Sequence, residues 1–132
     1  MRCLIVEDDT TSRLLLVELL SKYGAVQAFD SGPPALTAIN ESLVSKEPFD
    51  LICLDIMLPD MDGLQILRKV RTLEDQAGYP IGRGSKVVMT TALRDKANIM
   101  SAFRGACDGY LTKPIGRAKL VERLRELELL PK

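Results

Sequence analysis

Four apolar runs in this chain each break off at a small set of reactive side chains, and that punctuation narrows the folds open to it. Leu51-Ile52-Cys53-Leu54 stops at Asp55, and Cys3-Leu4-Ile5-Val6 stops at Glu7-Asp8-Asp9. Val87-Val88-Met89 ends in Thr90-Thr91, and the weaker Tyr110-Leu111 is followed by Thr112-Lys113-Pro114. Apolar runs of this length, bounded by polar and turn-forming residues, suit buried strands. If the strands lie parallel in one sheet, their carboxyl ends bring acids, a hydroxyl and an amine to one edge. Such a set can hold a divalent cation and receive a phosphoryl group.

The intervening segments have helical spacing. Residues 2–6 are predicted as a strand and 11–23 as a helix, with Leu16, Leu19, Leu20 and Tyr23 on one face and Gly24 as its stop. Residues 25–29 alternate as an edge strand does. Pro33-Pro34 opens a second helix, one proline at its first position, with Ala35, Leu36 and Ile39 turned inward. Residues 50–54 form the third strand and 63–75 the third helix, with Ile66, Leu67, Val70 and Leu73 on its apolar stripe. The stretch 76–85, with three glycines and a proline, reads as an exposed loop and not a domain boundary. Beyond it come a strand at 86–91, a helix at 95–106, a strand at 108–112 and a helix at 116–129. Five strands alternating with five helices predict one α/β domain over residues 1–132, a parallel sheet covered on both faces.

Composition removes several function classes. The 132 residues carry 18 basic and 18 acidic side chains, so a broad nucleic-acid-binding face is not indicated. Arg117, Lys119, Arg123 and Arg125 alternate with Glu122, Glu126 and Glu128 on a helix whose apolar face is Val121, Leu124 and Leu127, which marks a solvated surface with local ion pairs. No apolar run approaches the ~20 residues that span a bilayer. The first strand-like run is also too short for a signal-peptide core. Cys3, Cys53 and Cys107 show no paired spacing, so no disulfide or zinc site is expected, and Cys3 and Cys53, inside apolar runs, are expected to be buried thiols. A cytoplasmic protein is the expectation. With no histidine in the chain, any phosphohistidine must belong to a partner.

In open parallel sheets, ligands bind outside the carboxyl ends of the strands. Glu7, Asp8 and Asp55 would meet there, and like charges that close require a cation. Oxygen ligands without histidine select Mg²⁺ or Mn²⁺. Each residue has a plainer reading as well. Glu7-Asp8-Asp9 could simply cap the helix that follows, Lys113 could be an ordinary loop residue before Pro114, and Thr91 an ordinary β-branched strand residue.

Taken in order, V-E-D-D at 6–9, L-D-I-M-L-P-D-M-D-G at 54–63, T-A at 91–92 and G-Y-L-T-K-P at 109–114 resemble the receiver domain, chemotaxis-regulator-like, of two-component response regulators. The resemblance covers nearly the whole chain. It implies the flavodoxin-like doubly wound (βα)5 fold with sheet order 2-1-3-4-5. It also implies a signalling switch and not an enzyme, beyond assisting its own phosphotransfer and autodephosphorylation. Asp55 would be the phosphoacceptor for a phosphohistidine on a sensor histidine kinase or histidine phosphotransfer protein. Asp8, Asp55 and the Met57 backbone carbonyl would ligate the metal, Glu7 acting mainly through metal-bound water. Thr91 and Lys113 would contact phosphoryl oxygens, and Pro114 would follow a cis peptide bond. Ala92 would keep the approach open. Thr91 and Tyr110 would form the switch, read by a downstream protein on the face made by residues 95–106, 108–112 and 116–129.

Two departures from the family pattern stand out: the long 76–85 stretch, and Pro33-Pro34 where acids commonly open the second helix. The side chains flanking the path of a hydrolytic water are Met57 and Leu93, both apolar, and they imply a long-lived phosphorylated form or merely cover the core edge. A stand-alone switch is the leading expectation. The alternative is the receiver portion of a longer regulator with a DNA-binding or enzymatic output. A haloacid-dehalogenase-type phosphohydrolase needs a second aspartate two residues after the nucleophile, and Met57 stands there.

Overall fold

Strict alternation along each strand divides the core into two layers. The computed structural model describes residues 1–80, 82–92 and 107–131. Its strands are β1 (Arg2–Val6), β2 (Ala25–Phe29), β3 (Leu51–Asp55), β4 (Lys86–Ala92) and β5 (Gly109–Lys113). All pair in parallel, in the order β2-β1-β3-β4-β5. The described helices are α1 (Thr10–Leu20), α2 (Gly32–Val44), α3 (Gly63–Gln76) and α4 (Arg117–Glu126). The expected helix at 95–106 lies outside the described residues.

Leu4, Val6, Ile52, Leu54, Val87 and Met89 face α2 and α3, where Ala35, Ile39, Leu43, Ile66, Leu67 and Val70 meet them. Cys3, Ile5, Leu51, Cys53, Val88 and Leu111 face the other way, onto Leu16 and Leu20 of α1 and Leu120 and Leu124 of α4. Period-two alternation in strands buried on both sides produces this division. The inward stripes of the helices follow the expected spacing, except that α4 packs through Leu120, Leu124 and Leu127, while Val121 is only half-buried and joins neither layer. Cys3 and Cys53 are free and buried, and burial pushes the Cys3 thiol up to about 11. β2 is the exposed edge strand its alternation predicts.

Several boundaries differ from expectation; the last helix, expected over 116–129, spans Arg117–Glu126. β3 and β5 each run one residue further, because β4 extends far enough to pair Asp55 with Thr90 and Ala92 with Lys113. Gly24 does not end α1, which stops at Leu20. Instead a Cβ at Gly24 would fall on the Met1 carbonyl, so glycine is what lets the chain enter β2 alongside β1. The 76–85 stretch is exposed along most of its described length, as expected, but its far end is tied down. Glu74 is buried and accepts from the Ser85 N–H at 2.7 Å and from Arg71 at 2.8 Å, and Arg71 also reaches Asp108 at 3.0 Å.

Candidate functional site

The adjacent acids after β1 divide their work. Asp9 is the N-cap of α1, its carboxylate accepting from the Ser12 N–H at 2.8 Å, which holds its pKa below the usual value. Glu7 and Asp8 instead turn to the sheet edge. The capping reading therefore holds for the third acid and fails for the first two. Arg13, one turn into α1, donates to the backbone carbonyls of Glu7 at 3.0 Å and Asp8 at 3.4 Å and ties this corner to the helix. Nothing in the sequence pattern distinguishes that arginine from a surface one.

Asp55 is brought to the same edge by β3, and the following turn is shaped by its neighbours. Asp62 caps α3 in a reciprocal box with Gln65. Gly63 passes so close to the strand end that a Cβ would lie 2.8 Å from the Asp55 carbonyl oxygen and from the Ile56 Cα. Carboxylate oxygens of Glu7, Asp8 and Asp55 all lie within 4.8 Å of one another, an arrangement able to hold a metal ion.

Lys113 supplies the countercharge. Its Nζ is 2.7 Å from Glu7 Oε1 and 3.3 Å from Asp55 Oδ2. The Lys113–Pro114 peptide bond is cis, as expected. Burial tends to lower the lysine pKa, yet the Glu7 hydrogen bond and the charges of Asp55 and Glu7 raise it above its ordinary value. Glu7 is fully buried, and desolvation pushes its pKa up to about 7; Lys113 opposes that rise and Asp55 adds to it. Glu7 Oε2 is buried with no hydrogen-bond partner among the described residues. One lysine cannot satisfy this much carboxylate, and a divalent cation fits the remainder.

The other expected residues are placed less tightly. The Met57 N–H donates to Asp55 Oδ1 at 3.2 Å, while the Met57 side chain is 69% exposed. Thr91 is buried at the end of β4, and its hydroxyl donates to the Ala92 carbonyl at 3.1 Å. Tyr110 is half-buried on β5 against the α2–α3 layer, and its carbonyl accepts from Arg123 of α4 at 3.3 Å. Leu93 lies outside the described residues.

The family model for the response regulator receiver domain matches residues 3–125. The chain belongs to that family. As a receiver domain of two-component systems, it is 34% identical over 126 residues to hybrid signal transduction histidine kinase L of Dictyostelium discoideum, covering 95% of this chain and 7% of that protein. It is 34% identical to the response regulator PleD of Caulobacter vibrioides, covering 96% of this chain and 26% of that protein. Against the probable transcriptional regulatory protein SilR of Salmonella typhimurium the identity is 34%, covering 96% of the receiver and 50% of that protein. The receiver thus spans from under a tenth to about half of these relatives' lengths. Among solved structures it is similar to the CheY-like response regulator receiver domain from Methylobacillus flagellatus, with 29% identity, a TM-score of 0.75 and coverage of 96% of this chain and 98% of that one. It is also similar to the receiver domain of the Arabidopsis thaliana histidine kinase CKI1 complexed with Mg2+ and BeF3-, with 28% identity, a TM-score of 0.77 and coverage of 98% and 90%.

Proposed function

We propose that Asp55 accepts a phosphoryl group from a phosphohistidine on a sensor histidine kinase or histidine phosphotransfer protein, in the presence of Mg²⁺ or Mn²⁺. The observation that carries this reading is the convergence of Glu7, Asp8, Asp55 and Lys113 at one sheet edge. A carboxylate oxygen of Asp55 attacks phosphorus, the P–N bond breaks, and the imidazole leaves with the electron pair and takes up a proton. Such transfers ask the protein to position groups and neutralise charge more than to supply covalent chemistry. Asp8, Asp55 and the Met57 carbonyl would hold the cation, with Glu7 acting mainly through its water; bound there, the ion would neutralise charge on the phosphoryl oxygens. Lys113 is already within reach of Asp55, and Thr91 needs only to exchange its bond to the Ala92 carbonyl for one to a phosphoryl oxygen.

The domain works as a switch and not as an enzyme. Thr91 and Tyr110 relay the change to the surface formed by β5 and α4, where a downstream protein docks; residues 95–106, also expected on that face, lie outside the described residues. On α4, Arg123 pairs with Glu126 at 2.6 Å and Lys119 approaches Glu122 at 3.9 Å, which supports a solvated protein-binding surface over a nucleic-acid one. The free buried thiols accord with a cytoplasmic location. The short span relative to the curated relatives supports a second reading, in which this receiver is one part of a longer regulator.

Incubation with acetyl phosphate and Mg²⁺ should add one phosphoryl group by intact mass, and Asp55→Asn should abolish it. A label that persists in Asp55→Asn overturns the assignment.

A further inference from the structure

Thr90 is the register partner of Asp55, on the strand next to it. It is 1% exposed, and its Oγ1 has no hydrogen-bond partner among the described residues. Burying a hydroxyl without a partner is unfavourable, so packing alone would be served better by valine. Lys113, the register partner of Ala92, must pass over β4 to reach Asp55, the register partner of Thr90. β4 lies between β5 and β3 in the sheet. Alternation with Val88 and Leu111 puts Thr90 and Lys113 on the same face. From there the Lys113 ammonium reaches over β4 to Asp55 and on to Glu7. An ammonium carries three N–H donors, of which these contacts use two.

We propose that Thr90 is a positioning residue for phosphoryl transfer, its hydroxyl accepting a hydrogen bond from the Lys113 ammonium when a phosphoryl group on Asp55 draws that ammonium away from Glu7. The inference rests on the reading of Asp55 as phosphoacceptor. Before transfer, Glu7 Oε1 is the shorter of the two lysine contacts. Transfer adds negative charge on the Asp55 side, and the ammonium must give up a buried partner to follow it. Thr90, beside Asp55 on the sheet face that the lysine crosses, is a polar group with unused capacity. Its hydroxyl replaces the lost contact and keeps the charge directed at Asp55. The role is exerted through Lys113, so Thr90 need not touch phosphorus.

The test compares wild type, Thr90→Val, Thr90→Ala and Thr90→Ser with acetyl phosphate and Mg²⁺, following the aspartyl phosphate by intact mass over a range of donor concentrations. Thr90→Val should melt at or above the wild-type temperature, because an unpartnered hydroxyl is gone. Its phosphorylation rate at saturating donor should nonetheless fall about tenfold, the scale of one hydrogen bond to a charged group, with the half-saturating donor concentration unchanged. Thr90→Ala should show the same loss, and Thr90→Ser should return to within about twofold of wild type. Equal saturated rates in wild type and Thr90→Val overturn the role of Thr90 and leave the Asp55 reading standing. A wild type that takes up no phosphoryl group overturns both.

Discussion

Burial and charge conflict most at Glu7. The fold places this carboxylate out of water beside Asp55, and desolvation raises its pKa from 4.5 to about 7, against the pull of Lys113. The folded protein therefore holds the Glu7 proton more tightly than the unfolded chain does. The stability this contributes is fully present below about 4.5 and is lost as pH rises through about 7. In metal-free buffer, thermal melting of the wild type should decline between pH 5 and pH 8 more than that of Glu7→Gln, which stays neutral throughout. Mg²⁺ should raise the wild-type melting temperature more at pH 8 than at pH 5, since a protonated Glu7 competes with the cation. Parallel melting curves for the two proteins across this range would show that Glu7 is not the titrating group.

Among the elements, the connection from α3 to β4 is the least expected. Its composition marks a loop, and Gly78 and Gly82 do take positive φ of 88° and 84°. Its far end, however, is held by the buried Glu74 carboxylate, which accepts from the Ser85 N–H, while Arg71 joins Glu74 to the Ser85 carbonyl and Asp108. Gly84 passes so close to Glu74 that a Cβ there would overlap the carboxylate. Glu74→Ala leaves the Ser85 N–H without its acceptor and Arg71 without one partner. It should cost about 1–3 kcal/mol, discounted from a fully buried pair because Arg71 is partly exposed. Hydrogen exchange at the Ser85 amide should quicken while phosphorylation of Asp55 continues. Unchanged exchange there would mean that the loop is held by other contacts.

Across the whole molecule, Asp55 ends the central strand, two strands from either edge, with Glu7 after β1 on one side and Lys113 of β5 reaching in from the other. β5 and α4 carry Lys113, Tyr110 and Arg123, whereas β2 lies beyond β1 on the other side. Because Lys113 of β5 contacts Asp55 and Arg123 of α4 holds the Tyr110 carbonyl, a charge event at Asp55 should be felt mainly along β4, β5 and α4. Hydrogen exchange measured with and without beryllofluoride and Mg²⁺ should change at Tyr110 and along α4 more than in β2 or α2. A uniform change over the sheet would indicate general stabilisation by the ligand in place of a directed switch.

Periodicity alone was enough to indicate a parallel α/β sheet covered on both faces, because strands buried on both sides leave continuous apolar runs and their helices leave single stripes. The order of acids, threonine and lysine at the strand ends carried the family resemblance and nominated Glu7, Asp8, Asp55, Thr91 and Lys113. Local sequence could not decide which of three adjacent acids caps a helix and which face the site; the path of the chain after Val6 assigned Asp9 to the cap and left Glu7 buried. Nor could it reveal why Gly24 is a glycine, what Arg13 and Glu74 hold, or that Thr90 lies beside Asp55 with its hydroxyl unpartnered. Those features depend on groups distant in the chain that meet only after the strands pair, and on desolvation, which exists only once the helices cover the sheet.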